Sequence, residues 1–344
     1  MMDRSDHEST VETRRKNWQV PRAGWVALAV IALVVFFVVD LFVGPAKISL
    51  DNLAVIFDTN SVEHVAFFRL RMVESLMAVG IGLSLGLAGG VMQTILNNPL
   101  ASPFTLGVSS AASFGAALAF VMAVPLVLVT GGALVMALIA VLVIFMAGNY
   151  LKMSNSALVL AGIALNFFFD ALLSLIQYRA SEESLSYIVF WTMGSLSRGS
   201  YPQAWTLLIC FAIVFAVIMR NSWGLTALKF GDTRAAALGI KVQSVKIVSL
   251  LLVSVLTALA VSFAGKIGFI GLAAPHLARR LVSEDQRYYL TTSALIGAMF
   301  LLLASSLSKI VVPGVVVPIG IISSLIGIPF LVYALLSQRK QRAA

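Results

Sequence analysis

Long apolar runs recur from Trp25 to Leu336, separated only by short polar breaks. A helix needs about 20 apolar residues to cross the hydrocarbon core, so such runs make lipid the solvent for the whole chain. About ten spans would use about 200 residues, in keeping with a 344-residue chain that is 60% apolar and 11% charged. That leaves no room for an extramembrane catalytic domain. The runs are continuously apolar, whereas barrel strands alternate over about 10 residues, so the expected fold is all-α and polytopic.

The runs fall near 24–43, 73–95, 104–123, 125–148, 157–177, 203–219, 247–264, 268–282, 289–308 and 319–336. An even count puts both termini on one side. The organisation expected is a tail over 1–22, a membrane domain over 23–337 and a second tail over 338–344, both tails cytoplasmic. The first 22 residues are polar, include Arg14, Arg15 and Lys16, and lead into the Trp25 run with no small-residue cleavage site after it, which reads as a retained tail rather than a signal peptide. With that end inside, 17 of the 24 basic residues lie on the inner side. The net charge of +9 is therefore explained by the positive-inside rule, and nucleic-acid binding is an unnecessary reading. The outer minority is Lys47, Arg69, Arg71, Arg179, Arg198, Lys266 and Lys309.

Catalytic and metal chemistry find no support. The single cysteine, Cys210, lies within a span, and His7, His64 and His276 are far apart in sequence, so no metal-ligand spacing exists. No phosphate-binding loop and no nucleophile elbow occurs. Active transport by this chain would draw its energy from a partner or an ion gradient.

Four local features remain. Gly82, Gly86 and Gly90 repeat every four residues, as do Gly107, Ala111 and Gly115, which suits close helix packing in lipid. The uncharged loop Asn97 to Pro103 carries two prolines and reads either as an ordinary turn or as a gate at the inner mouth. Asn166, Asp170, Ser174 and Gln177 share one helical face, with Asp170 taken as the one carboxylate deep in a span. A charge there costs about 2.5–3.5 kcal/mol on insertion scales, so this face either lines a water-filled path or forms a buried hydrogen-bond seam. Finally, the inner segment from Arg220 to Lys246 holds Asp232, Thr233 and Arg234, then alanines, Leu238 and Gly239. This reads as a capped short helix that either docks another protein or is a solvated linker.

Taken together, Gly89-Gly90-Val91-Met92-Gln93, Asn97-Asn98-Pro99-Leu100-Ala101-Ser102-Pro103, Leu106-Gly107 and Gly268-Phe269-Ile270-Gly271-Leu272-Ala273-Ala274-Pro275-His276 resemble the FecCD family. These are permease subunits of bacterial ATP-binding-cassette importers for iron chelates and cobalamin. Pro318-Ile319-Gly320 and Gly327-Ile328-Pro329-Phe330 resemble the family's last helix, so the likeness covers nearly the whole chain after residue 65. It implies a ten-helix type II importer permease in the bacterial inner membrane, dimerising around a central pathway. Cargo would arrive from a periplasmic binding protein, and two cytoplasmic ATPase subunits would bind ATP and magnesium, with no cofactor on this chain.

Position by position, the resemblance implies that Gly231, Asp232, Thr233, Arg234, Ala235, Ala236, Leu238 and Gly239 form the coupling element for the ATPase. Asn98, Pro99 and Leu100 would form one inner gate, and Asn155 would belong to the other. The outer surface departs from the family pattern: Arg71-Met72-Val73-Glu74 stands where Arg-x-Pro-Arg is usual, and Val316 where an acidic residue precedes Pro318. Docking of the binding protein would then rest on Arg69, Arg71 and Lys309, and the missing groups point to a second, non-identical permease as partner. The expected cargo is an iron chelate, foremost a ferric siderophore, with haem and cobalamin as alternatives. A gradient-driven carrier using Asp170 is the alternative from another class.

Overall fold

A computed structural model describes residues 21–45, 55–150 and 154–329, and within these each expected run forms a helix over most of its length. Residues 1–20 of the first tail, the second tail, Lys47, Lys152 and Phe330 lie outside the described residues. The helices are α1 (Arg22–Phe42), α2 (Val62–Ile95), α3 (Val108–Val121), α4 (Leu126–Asn149), α5 (Asn155–Arg179), α6 (Glu182–Thr192), α7 (Tyr201–Arg220), α8 (Ser222–Leu228), α9 (Asp232–Ala237), α10 (Val242–Ala264), α11 (Ile270–Val282), α12 (Gln286–Ile310) and α13 (Ile319–Pro329). No strand occurs among the described residues. Among the described residues seven helices, α1, α2, α4, α5, α7, α10 and α12, are long and apolar enough to cross a membrane alone.

The core forms around α2, which is buried along most of its length and packs on α12, α10, α11 and α7. Small residues make the closest of these approaches possible. A Cβ on Gly82 would meet the backbone of Gly297 and Ala298 on α12, and one on Gly86 would strike the Ser293 carbonyl. With no hydrophobic force between helices in lipid, this backbone proximity supplies the packing attraction. Ser293 adds a hydrogen bond of 2.7 Å to the Gly86 carbonyl. The second stripe is shorter than expected: Gly115 packs on Gly132 of α4, but Gly107 sits in left-handed backbone (φ 83°) ahead of α3, after a 3-10 turn at Phe104–Leu106.

Three chain breaks pack on one another where the helices stop short. Ser195 N–H donates to the Ala264 carbonyl (2.8 Å), and Ile319 and Gly320 N–H donate to the Gly194 and Met193 carbonyls (3.2 and 3.0 Å). Non-helical backbone at membrane depth is tolerated only when protein satisfies it in this way. The expected span at 268–282 is consequently short: the 13 residues of α11 rise about 20 Å, less than a hydrocarbon core of about 30 Å. Helix α6, a short helix between α5 and α7, has no counterpart among the expected runs. Ser181 caps its start, and Tyr187 stacks on Phe120 of α3 at 5.8 Å.

Candidate functional site

The Arg220 to Lys246 segment, expected on the inner side, folds into α8 and α9. Gly239 (φ 82°) ends α9, with its N–H on the Ala236 carbonyl (2.9 Å) and that of Ile240 on the Ala235 carbonyl (3.1 Å), which satisfies two carbonyls the helix would otherwise leave open. The expected side-chain cap at the other end is absent. Gly231 (φ 98°) occupies the N-cap, and Asp232 becomes the first helical residue. Its carboxylate accepts instead from Lys246 Nζ at 2.7 Å. Thr233, Arg234, Ala236 and Leu238 are exposed, whereas Ala235 is buried against the bundle.

The two expected gate positions lie at the same end. In the Asn97 to Pro103 loop the Asn98 carboxamide accepts from Leu100 N–H (2.9 Å), an Asx turn that holds Pro99 and Leu100 out, with Leu100 51% exposed. Asn155 opens α5 after the cap Ser154, and its carboxamide oxygen accepts from Lys246 Nζ at 3.2 Å. Lys246 thus contacts both sequence-predicted groups, and no motif flagged it.

The polar face of α5 is a connected chain. Asn166 donates to the Phe104 carbonyl (2.9 Å) and accepts from Ser110 Oγ (3.0 Å), while Lys266 Nζ reaches Ser110 Oγ (3.3 Å) and Asp170 Oδ1 (2.9 Å). Ser174 returns its hydroxyl to the Asp170 carbonyl, and Gln177 is half-buried one turn on. Asp170 is about 22 Å along the helix from Asn155 by rise alone. Its side chain is 48% exposed, Lys266 is 21% exposed, and Phe167 and Phe168 beside Asp170 are uncovered. An ion pair at this depth facing lipid is costly, so a second subunit or water belongs against this face.

The end of the bundle where α1, α2 and α12 meet corrects the sequence reading. Asp170 is not alone: Asp40 on α1 is fully buried and Glu74 on α2 nearly so. Lys309 Nζ lies 3.1 Å from Asp40 Oδ1 and 3.3 Å from Glu74 Oε2. Ser75, Ser305 and Ser306 donate to Asp40 (2.7, 3.1 and 2.9 Å), and Ser197 donates to Glu74. Arg71 is buried and donates to the Leu41 and Phe42 carbonyls at 3.2 and 3.0 Å. Lys309 and Arg71 therefore do not present free charge to an incoming protein, and only Arg69 of the expected docking trio is exposed. A cavity of about 360 Å³ opens beside Glu74, Arg198 and Lys309. A Lys at the end of α12, four and three residues after two serines, was the available signal for this cluster; what it lacked was a partner assigned on α1.

These features define a polytopic helical membrane protein with a capped short helix in the segment between α7 and α10 and a connected polar face on α5. A profile of the FecCD transport family matches residues 32–337, and the chain belongs to that family. It is 35% identical to an iron chelatin transport system permease of Helicobacter pylori, covering 80% of this chain and 83% of the relative. It is 32% identical to a molybdate import permease of Haemophilus influenzae, covering 88% and 93%. Other relatives include a hemin transport permease of Yersinia pestis and a vitamin B12 import permease of Pectobacterium atrosepticum. A solved structure described as an inward-facing conformation of a metal-chelate type ABC transporter superposes with a TM-score of 0.81 at 28% identity, covering 92% of this chain and 99% of the other. The chain is an ABC importer permease subunit of type II fold, a transporter component rather than an enzyme, and works in a complex with a second permease.

Proposed function

We propose that this permease carries an iron chelate, foremost a ferric siderophore, across the bacterial inner membrane with both termini cytoplasmic. Cargo arrives from a periplasmic binding protein, and two cytoplasmic ATPase subunits bind ATP and magnesium. The observation that carries the reading is the α5 face: a mid-depth Asp170–Lys266 pair, joined through Ser110 and Asn166 to the turn behind the inner loop. A pathway with donors and acceptors among aromatic residues suits a bulky, oxygen-rich chelate more than a bare ion. Residues 231–239 engage the ATPase, Asn98 to Leu100 and Asn155 close the inner mouth, and Asn166, Asp170, Ser174 and Gln177 line the path. With Lys309 and Arg71 internal, charge-paired docking on this chain falls to Arg69, and the partner permease, not identical to this one, supplies the rest.

The test is uptake of ⁵⁵Fe-labelled siderophore by proteoliposomes holding the permeases, ATPase and binding protein. Accumulation with ATP inside, and none with a proton gradient alone, is the expected result. Accumulation on the gradient alone would refute ATP coupling, and ATP-driven uptake of haem, cobalamin or molybdate without the siderophore would reassign the cargo. A fully active homodimer would refute the mixed pair.

A further inference from the structure

A lysine at the inner end of a membrane helix ordinarily extends its ammonium towards water and headgroups. Lys246, the fifth residue of α10, turns inward. Its side chain is 15% exposed, and its Nζ donates to Asp232 Oδ2 at 2.7 Å and Asn155 Oδ1 at 3.2 Å. One acceptor is the first residue of α9 and the other the first residue of α5. The stem borders a cavity of about 140 Å³ that is also lined by Ile95 and Leu96 from the end of α2 and by Leu158 of α5. Helix α9 packs against α8 and α10, so the ammonium joins it to a helix beyond its own packing neighbours.

We infer that Lys246 is the positioning residue that transmits displacement of α9 to the start of α5, so that the Asn155 gate follows the coupling element. This rests on the reading of α9 and Asn155 given under the proposed function. The geometry suits the task. The Gly239 cap makes α9 a rigid unit, Asp232 sits at its leading end, and a short charge-assisted bond is the stiffer arm of the bridge. A shift of α9 by 1–2 Å, the scale of helix shifts in switching proteins, either draws the ammonium along or takes it out of reach of Asn155.

The test separates gate from motor in the reconstituted complex. With Cys210 replaced by Ala, a spin label at exposed Ala237 of α9 or exposed Ser156 of α5 is paired with one at exposed Ile31 of α1, and distances are measured with and without ATP. In the parent both distances shift. In Lys246→Met the Ala237 distance still shifts, the Ser156 shift is lost, and ATP hydrolysed per cargo transported rises at least tenfold; Lys246→Arg restores most of the coupling. A Ser156 label that still follows ATP in Lys246→Met overturns the inference, as does uptake falling only in proportion to ATPase. If Lys246→Met fails to assemble, Asp232→Asn, altering a residue 57% exposed, is expected to weaken the Ser156 shift, and an unchanged shift overturns the inference equally. A parent in which the Ala237 distance ignores ATP would instead refute the coupling role of α9 itself.

Discussion

Lys309 is the residue whose loss should be felt most. Its ammonium, 3% exposed, lies between two carboxylates, Asp40 at 3.1 Å and Glu74 at 3.3 Å, and it ties α12 to α1 and α2. Lys309→Met preserves the stem and removes the charge, leaving Asp40, fully buried, with three serine hydroxyls and the more distant attraction of Arg71. Removing one member of a buried pair costs about 3–5 kcal/mol, because the other charge stays behind. At roughly 2 °C per kcal/mol for a large chain, the melting temperature in detergent should fall by about 6–10 °C. Asp40→Asn is milder, on the order of 1–3 kcal/mol, since the ammonium retains Glu74 and the hydroxyls retain an acceptor. The double variant Asp40→Asn with Lys309→Met removes both charges and should melt above Lys309→Met alone, a coupling of at least about 1 kcal/mol. Thermal unfolding followed by tryptophan fluorescence would check the order. A Lys309→Met protein melting with the parent, or a double variant additive in its two losses, would refute the strut and return Lys309 to the outer surface as a docking group.

Gly86→Val places its first carbon against the Ser293 carbonyl, so helices α2 and α12 must separate; a loss of several kcal/mol is expected from overpacking, seen as poor yield of folded protein, whereas Gly131→Ala on α4, where a Cβ meets nothing within 4 Å, should be neutral. Asp285 caps α12 through Arg287 N–H at 3.2 Å, and the Arg287 side-chain hydrogen bond holds its carboxyl below the ordinary value of 3.8. A depressed carboxylate contributes stability that is present above the unfolded value and lost as pH falls through the folded one. Asp285→Ala should therefore cost about 1 kcal/mol at neutral pH, with the difference from the parent shrinking below pH 4 in thermal unfolding. Lys266→Met should cut siderophore uptake more than Asp170→Asn, since it strands a carboxylate in the path while Asp170→Asn preserves an acceptor; equal uptake in both would remove this pair from the pathway.

Periodicity and side preference made the helices legible, because a continuous apolar run has few alternatives in lipid. Depth was not legible. Arg71, Arg198, Lys266 and Lys309 sort to the outer side by counting, yet each is turned into the protein: Arg71 onto carbonyls of α1, Arg198 onto the Trp191 and Ala264 carbonyls, Lys266 onto Asp170 and Lys309 onto Asp40 and Glu74. The reason lies in uneven helix lengths. Where α6 and α10 end and α13 begins, the chain breaks inside the bundle, and loop residues there meet the helices at their mid-depth. Asp40 is obscured for a related cause: four residues short of Gly44 at the end of an apolar run, it looks like a boundary residue until α12 supplies its cation. The same holds for Lys246, which counts as one more inner charge until α5 and α9 converge on it. A single sequence shows which residues would be costly to bury; only the packing shows that the cost is met by pairs drawn from different helices. Those pairs join elements far apart in sequence, α12 to α1 and α2 through Lys309 and α10 to α9 and α5 through Lys246, so the charges read first as topology are also ties between helices.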